Sequence, residues 1–411
     1  MNLVKSTFFT HQFKNGVRLI HLPSTSSVAH CGVVINTGTR DELPNEHGMA
    51  HLLEHMAFKG TKNRKAFHII GRIEDVGGEI DAYTTKELTC FYTSFLNRHY
   101  KRTFELLADI TFNAVYPERE LEKEKNVVLE EIQMYNDSPS ELIFDDFEEA
   151  LFSHHPIGRN ILGTPESVKA ISREDIRNFR SRMYNTDQMV ICSVGNIKPE
   201  QLVKWGEYYF ESQPESIREM RRTAVGGSKL FSTTVDKDTN QAHCITGIEA
   251  YHHAHQKRYT LRLIANMLAG PAMNTRLNRD MRENKGLVYH VEAFYAAYSD
   301  SGLLGIYFGT DKAKVDRSLA AIARAFKKLR EHKPGTLQMS RARNQLMGQI
   351  AIASENSSNR MLAMGKNMLF FNTSNTTREI IDRIDRITAD DVWEVSNELL
   401  HPDKFSTLIY K

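Results

Sequence analysis

The sequence predicts an α+β fold, an α/β sandwich built as two homologous domains. Three observations carry that expectation: a length of 411 residues, alternating strand-like and helix-like patterns, and an echo between the two halves of the chain. A chain this long exceeds what one hydrophobic core usually organises, so two or three domains are expected. With 41% apolar and 25% charged residues, the composition is that of an ordinary globular protein in which each domain can bury a core.

Taken in order, Asn15-Gly16 between Phe13 and the strand-like run 17–22 predicts a hairpin closed by a type I′ turn. A strand is expected at 31–36, helices at 45–58 and 66–76, the latter stopped by Gly77-Gly78, and a strand at 88–95. Helical patterns resume at 99–115 and after Pro117. Ser172 three residues before Asp175 starts another helix, and 189–194 reads as an apolar strand. In the second half, Ala242-His243-Cys244 opens a strand as Ala29-His30-Cys31 does. Ile387-Thr388-Ala389-Asp390-Asp391 then repeats the pattern of Ile171-Ser172-Arg173-Glu174-Asp175 at a comparable distance, the mark of a duplication. Residues 214–227, polar and without a period, are the expected linker between an N-terminal domain, 1–213, and a C-terminal domain, 228–411.

Charge and targeting signals exclude several classes. With 53 basic against 51 acidic residues the chain is nearly neutral, which argues against nucleic acid or an anionic membrane as partner. No apolar run has bilayer-spanning length, and the N-terminus lacks an apolar leader with a cleavage site, so a soluble cytoplasmic protein is expected. Cys31, Cys90, Cys192 and Cys244 lie far apart with no C-x-x-C pair, which predicts reduced, buried thiols.

One cluster carries chemistry. In His51-Leu52-Leu53-Glu54-His55, helical geometry places His51, Glu54 and His55 within one arc roughly 100° wide. Imidazoles at i and i+4 can ligate one zinc, and a carboxylate beside them can take a proton from water. This is the reverse order of the commoner zincin motif. Hydrolytic zinc normally has three protein ligands, so a third is required. In the helix after Pro117, Leu121, Val128, Ile132 and Tyr135 form an apolar stripe flanked by Glu124 and Glu131, while Glu130 points away. A carboxylate held at the edge of a buried face calls for a cation. His47 repeats the spacing, but eight helical residues rise about 12 Å, too far for His47 and His55 to share one ion, so it reads as structural.

These residues resemble a known family. GMAHLLEHMAFKGT around His51, LEKEKNVVLEEIQMYND around Glu131 and MRENKGLVYHV around Tyr289 are similar to the pitrilysin family of metallopeptidases, which includes insulin-degrading enzyme and the mitochondrial processing peptidase. The resemblance covers nearly the whole chain. It implies that each domain is a mainly antiparallel sheet packed with helices and that the two form half of a clamshell. It implies one Zn2+ per chain held by His51, His55 and Glu131, with Glu54 activating water and Glu124 supporting the site from behind. Arg282 and Tyr289 match a pair that binds the substrate backbone or the oxyanion. GGEIDAYTTKELTCFY matches an edge strand to which peptide adds, with Asp81 standing where the family often has Asn, and Ala82 matching. Residues 264–268, the counterpart of the motif in the second half, contain no His or Glu. The implied activity is endopeptidase cleavage of short or unfolded peptides in a chamber enclosed by a homodimer. The alternative is a non-catalytic peptide-binding or scaffold subunit of the same fold.

Overall fold

The computed structural model describes residues 8–411 apart from residue 238. The first seven residues, on which the expectation of an absent leader partly rests, lie outside the described residues. The first half of the chain runs through β1 (Phe9–Gln12), β2 (Arg18–Pro23), β3 (Val28–Ile35), α1 (Met49–Ala57), α2 (Ala66–Glu74), β4 (Glu79–Thr84) and β5 (Thr89–Leu96). It continues with α3 (Tyr100–Phe112), α4 (Glu118–Asn136), α5 (Pro139–Leu151), α6 (Pro165–Ala170), α7 (Arg173–Met183), β6 (Met189–Gly195) and α8 (Pro199–Gly206). The second half opens with β7 (Ser232–Val235), β8 (Ala242–Glu249), α9 (Arg258–Ala269), β9 (Val288–Ala297), β10 (Gly302–Thr310) and α10 (Val315–Glu331). It closes with α11 (Thr336–Glu355), α12 (Ser357–Phe371), α13 (Thr377–Asp385), α14 (Ala389–Leu399) and β11 (Ser406–Tyr410).

The fold is α+β with two homologous halves. The first sheet has the order β1-β2-β6-β3-β5-β4, with β2–β6 parallel and the other pairs antiparallel. The second has the order β7-β11-β8-β10-β9, with β7–β11 parallel and the rest antiparallel. Setting β2, β6, β3, β5 and β4 against β7, β11, β8, β10 and β9 superposes the two topologies. Both sheets are therefore mixed, and mainly antiparallel. The sequence echo falls on equivalent places: β3 and β8 begin at or beside the Ala-His-Cys triplets, and Ser172 and Thr388 cap α7 and α14 in the same reciprocal way with Asp175 and Asp391.

The compact units do not follow the chain continuously. One comprises Met1–Gln133, Asn160–Thr223 and Ile352–Thr376, the other Met134–Arg159, Ala224–Ala351 and Thr377–Lys411. Relative to a division into 1–213 and 228–411, each half lends a helix to the other half's sheet. In the first unit, Met361, Met364 and Met368 of α12 pack on Val34, Val190 and Cys192. The approach is close at Gly365, where a Cβ would stand 2.8 Å from Val34 Cγ2 and from Cys192 Sγ. In the second, Ile143, Phe147 and Leu151 of α5 pack on Ile245, Leu303 and Leu408. Residues 214–223, expected as linker, belong to the first unit, where Ser216, Arg218 and Arg222 bond Thr186 and Asp41, contacts that polarity and lack of period do not reveal.

Two local expectations need correction. The β1–β2 connection is not a type I′ turn: Gly16 N–H donates to Phe13 O, and Gly16 adopts φ 93°, whereas Asn15 is not among the residues with positive φ. That is a turn followed by a left-handed glycine, with Phe13 N–H returning to Val17 O. Asn15 instead donates through Nδ2 to Phe210 O and Gln213 O. Helix α1 begins at Met49 rather than at 45, because Gly48 takes the left-handed conformation at φ 87° and the Glu42 carboxylate caps the N–H groups of Gly48 and Ala50.

The four cysteines are free and buried, as expected. Among the described residues, no helix is long and apolar enough to cross a membrane. The first sheet also buries His21, whose Nδ1 is 3.3 Å from Ser193 Oγ. Burial pushes its pKa from 6.5 down to about 4. The fold favours the neutral ring, so this contribution to stability is complete above pH 6.5 and is lost as pH falls through 4. We expect His21→Leu to flatten the loss of stability between those pH values by on the order of 2–3 kcal/mol relative to wild type, read from denaturant midpoints at each pH. Parallel pH curves would remove His21 from that account.

Candidate metal centre

The site is assembled by two amphipathic helices. Met49, Leu52, Leu53 and Met56 of α1 share one buried cluster with Leu121, Val128 and Ile132 of α4. Packing those stripes together brings their polar edges together as well. His51 Nε2 and His55 Nε2 each stand 3.8 Å from Glu131 Oε2. One donor atom from each of the three residues lies within 4.8 Å of the others. Ligands about 2.1 Å from a tetrahedral zinc are about 3.4 Å apart, so the trio needs only a small adjustment to close on one ion.

Electrostatics support that fit. Glu131 Oε2 is buried with no hydrogen-bond partner while facing both imidazoles, a placement that a cation would satisfy. Burial, with the adjacent His55, pushes His51 down to about 3, leaving the neutral ring that ligates metals. Burial also lowers the pKa of His55, but the hydrogen bond to Glu124 and the nearby carboxylates of Glu131 and Glu54 outweigh it, and the net shift is upward. Glu124 Oε2 lies 3.2 Å from His55 Nδ1, and Lys59 Nζ lies 2.7 Å from Glu124 Oε1. Burial alone would raise Glu124; the bonds from His55 and Lys59 reverse this and hold its pKa below the usual value. That chain of contacts fixes the His55 ring with Nε2 toward Glu131. His47 precedes α1, and its Nε2 is 2.9 Å from Asn160 O.

Glu54 is separate from the trio. It is 8% exposed, and burial raises its pKa to about 7 against the opposing hydrogen bond from Thr84 Oγ1 to its Oε2 at 2.5 Å. Glu54, His55 and Glu124 border a cavity of about 270 Å3 that is also lined by Phe58, Ile70, Ile80 and Ala82. Asp81 and Ala82 sit on β4, the edge strand of the first sheet. Ala82 N–H donates to Asp81 Oδ1, and Asp81 Oδ2 accepts from Tyr92 OH. The Ala82 N–H to Asp81 Oδ1 bond is exposed, on a strand at the edge of the sheet.

The remaining expected residues lie in the second unit. Arg282 is exposed in a π-helical turn, Asn278–Asn284, and Tyr289 is exposed on β9, the edge strand of the second sheet. Tyr289 OH donates to Asp311 Oδ1 at 2.6 Å, which raises its own pKa. Helix α9, which follows β8 as α1 follows β3, is largely buried and apolar. Sequence reasoning missed Thr84 and Lys59. Lys59 follows the end of α1 at Ala57, where helical spacing no longer places side chains, and Thr84 is on another element, so no local pattern points to either.

Comparison with known proteins gives a consistent result. Residues 17–165 match the family described as insulinase, peptidase family M16, and residues 170–346 match the one described as the peptidase M16 inactive domain. The chain is 34% identical over 402 residues to a protein of Bacillus subtilis named an uncharacterized zinc protease, covering 96% of each chain. It is 31% identical over 411 residues to one of the same description from Rickettsia bellii, covering 99% of this chain and 98% of the other. A solved protease from Helicobacter pylori superposes with a TM-score of 0.90 at 19% identity, over 99% of this chain and 100% of that one. A peptidase M16 inactive domain from Pseudomonas fluorescens superposes with a TM-score of 0.89 at 17% identity, over 98% of each chain. At those identities the two structures speak for the fold alone.

Proposed function

The chain belongs to the insulinase family, peptidase family M16, and from that premise we propose that it is a zinc-dependent endopeptidase acting on short or unfolded polypeptides. One observation carries the reading: a His51–His55–Glu131 cluster stands beside a separate buried acid, Glu54, that is not needed to hold the ion. Bound by that trio, zinc supplies a Lewis acid that polarises a carbonyl and acidifies water.

The chain's own residues supply the rest. Glu54 accepts a proton from the attacking water and delivers it to the leaving amine, while Thr84 holds one of its oxygens in place. Peptide backbone adds along the outer edge of β4, its carbonyl replacing Asp81 as acceptor for Ala82 N–H. The cavity beside Glu54, with Phe58, Ile70, Ile80 and Ala82 in its lining, suits an apolar substrate side chain. Arg282 and Tyr289 are assigned as donors to the substrate backbone or the oxyanion. The reading also includes one zinc per chain and a cytoplasmic homodimer enclosing the chamber, which a light-scattering mass of one chain at working concentration would refute.

The direct test is elemental analysis together with cleavage of an unstructured peptide. We expect stoichiometric zinc and cleavage that stops with chelator and returns with added zinc. Zinc binding without cleavage would instead support a peptide-binding subunit of the same fold. Because Glu124 orients His55, Glu124→Gln is expected to weaken zinc binding about 10- to 100-fold, measured by competition with a chromophoric chelator. Unchanged affinity would reduce Glu124 to a partner of Lys59.

A further inference from the structure

Residues 216–223, read from sequence as linker, are tied into the first unit by a network of buried charges. Arg218 Nη2 donates to Asp41 Oδ1 at 2.6 Å, and Arg222 donates to both oxygens of Asp41, through Nε at 2.9 Å and Nη2 at 2.8 Å. Arg222 Nη2 also reaches Glu87 O at 2.6 Å, and Arg40 joins Glu87 Oε1 at 2.8 Å to Thr223 O at 2.7 Å. Ser216 exchanges hydrogen bonds with Thr186. Asp41 is fully buried. Burial would raise its pKa, but the two arginines and Gly38 N–H outweigh that and lower it. Buried ion networks add little net stability over apolar packing, so their presence calls for another role, such as fixing a geometry.

The geometry fixed here leads to Glu54 by two routes. Asp41 Oδ2 accepts Gly38 N–H, and residues 38–40 lie flat against the β4–β5 turn, with Thr39 N–H on Thr85 O at 3.2 Å and Arg40 N–H on Lys86 O at 2.8 Å. Contact is so close that a Cβ on Gly38 would stand 2.2 Å from Thr85 O. The residue before Thr85 is Thr84, whose hydroxyl holds Glu54. Directly after Asp41, Glu42 caps the first turn of α1, the helix that carries His51, Glu54 and His55. We infer that segment 216–223 is a strap whose Arg218 and Arg222 are positioning residues, setting Thr84 and the start of α1 against each other so that the Glu54 carboxylate is held in one orientation. The inference rests on Glu54 being the base of the proposed peptidase.

The test uses the full chain and Arg222→Gln, which leaves Arg218 to neutralise Asp41. Expected are a fall in kcat of roughly 5- to 20-fold, KM within about twofold, and unchanged zinc content. Thr84→Val also lowers kcat, and Arg222→Gln added to it costs less than about twofold more, because both act through one contact. A merely structural arginine would lower stability and give multiplicative losses, and that outcome overturns the inference. Amide hydrogen exchange supplies a readout independent of activity: Thr39, Arg40 and Thr85 exchange at least about 10-fold faster in Arg222→Gln. Unchanged exchange there refutes the strap whether or not the chain cleaves peptides. Faster exchange in a chain without peptidase activity refutes only the base assignment. If Arg222→Gln does not fold, Arg222→Lys, which keeps the charge and loses the fork, is read in the same way.

Discussion

Replacing Glu54 with Gln lowers kcat for peptide cleavage about 10^3-fold while leaving zinc content unchanged. The expectation follows from geometry. His51, His55 and Glu131 offer donor atoms within 4.8 Å of one another, and Glu54 is not part of that group. Its carboxylate is instead held by Thr84 in a buried setting that favours taking up a proton, burial raising its pKa to about 7. Gln keeps the shape and can still bond Thr84, so the helix and the ligands on either side of it are undisturbed. What is lost is the ability to accept a proton from water and pass it to the leaving nitrogen. The check is steady-state cleavage of a quenched fluorescent peptide alongside elemental analysis of the same sample. Wild-type turnover by Glu54→Gln would remove Glu54 as the base, and loss of zinc would make it a ligand.

Replacing His55 with Ala is expected to remove zinc and activity together. His55 meets both acids of α4: its Nε2 faces Glu131, the third member of the donor group, and its Nδ1 faces Glu124, which orients the ring. Its removal leaves two ligands where hydrolytic zinc sites have three, so affinity falls by more than the roughly 100-fold that loss of an outer partner produces. Lys59 still neutralises Glu124, and the apolar side of α1 is untouched, so the variant is expected to remain folded by circular dichroism. His47→Ala serves as the control. That ring bonds Asn160 O outside α1, and its loss leaves zinc stoichiometry unchanged. Stoichiometric, tightly held zinc in His55→Ala would mean that the ion is bound elsewhere.

Together the two variants separate holding the metal from using it. They are also where the sequence was most informative, because both rest on helical spacing. The i, i+4 spacing of His51 and His55 places two imidazoles on one face wherever the helix sits, and the stripe of Leu121, Val128 and Ile132 fixes which side of α4 carries Glu124 and Glu131. Expected strands were recovered within a residue or two where their neighbours were local in pattern, as at β5 and β6. The start of α1 was not, since it depends on Glu42 and on a left-handed Gly48, neither of which alters the apolar period.

By itself, then, the sequence determined the α+β class and the duplication, and it placed His51, Glu54 and His55 on one helical face and Glu124 and Glu131 beside one apolar stripe, because each is written in short-range periodicity or in repeated order along the chain. Tertiary structure alone decided what those donors meet. Thr84 comes to Glu54 from 30 residues away, Arg218 to Asp41 from 177, and α12 is pinned to the first sheet by a bond from Arg18 to Met368 O across 350 residues. Such contacts have no period. They arise when separate elements bury their apolar faces together, and the polar groups at the margins of those faces are then paired by whatever the packing brings within reach.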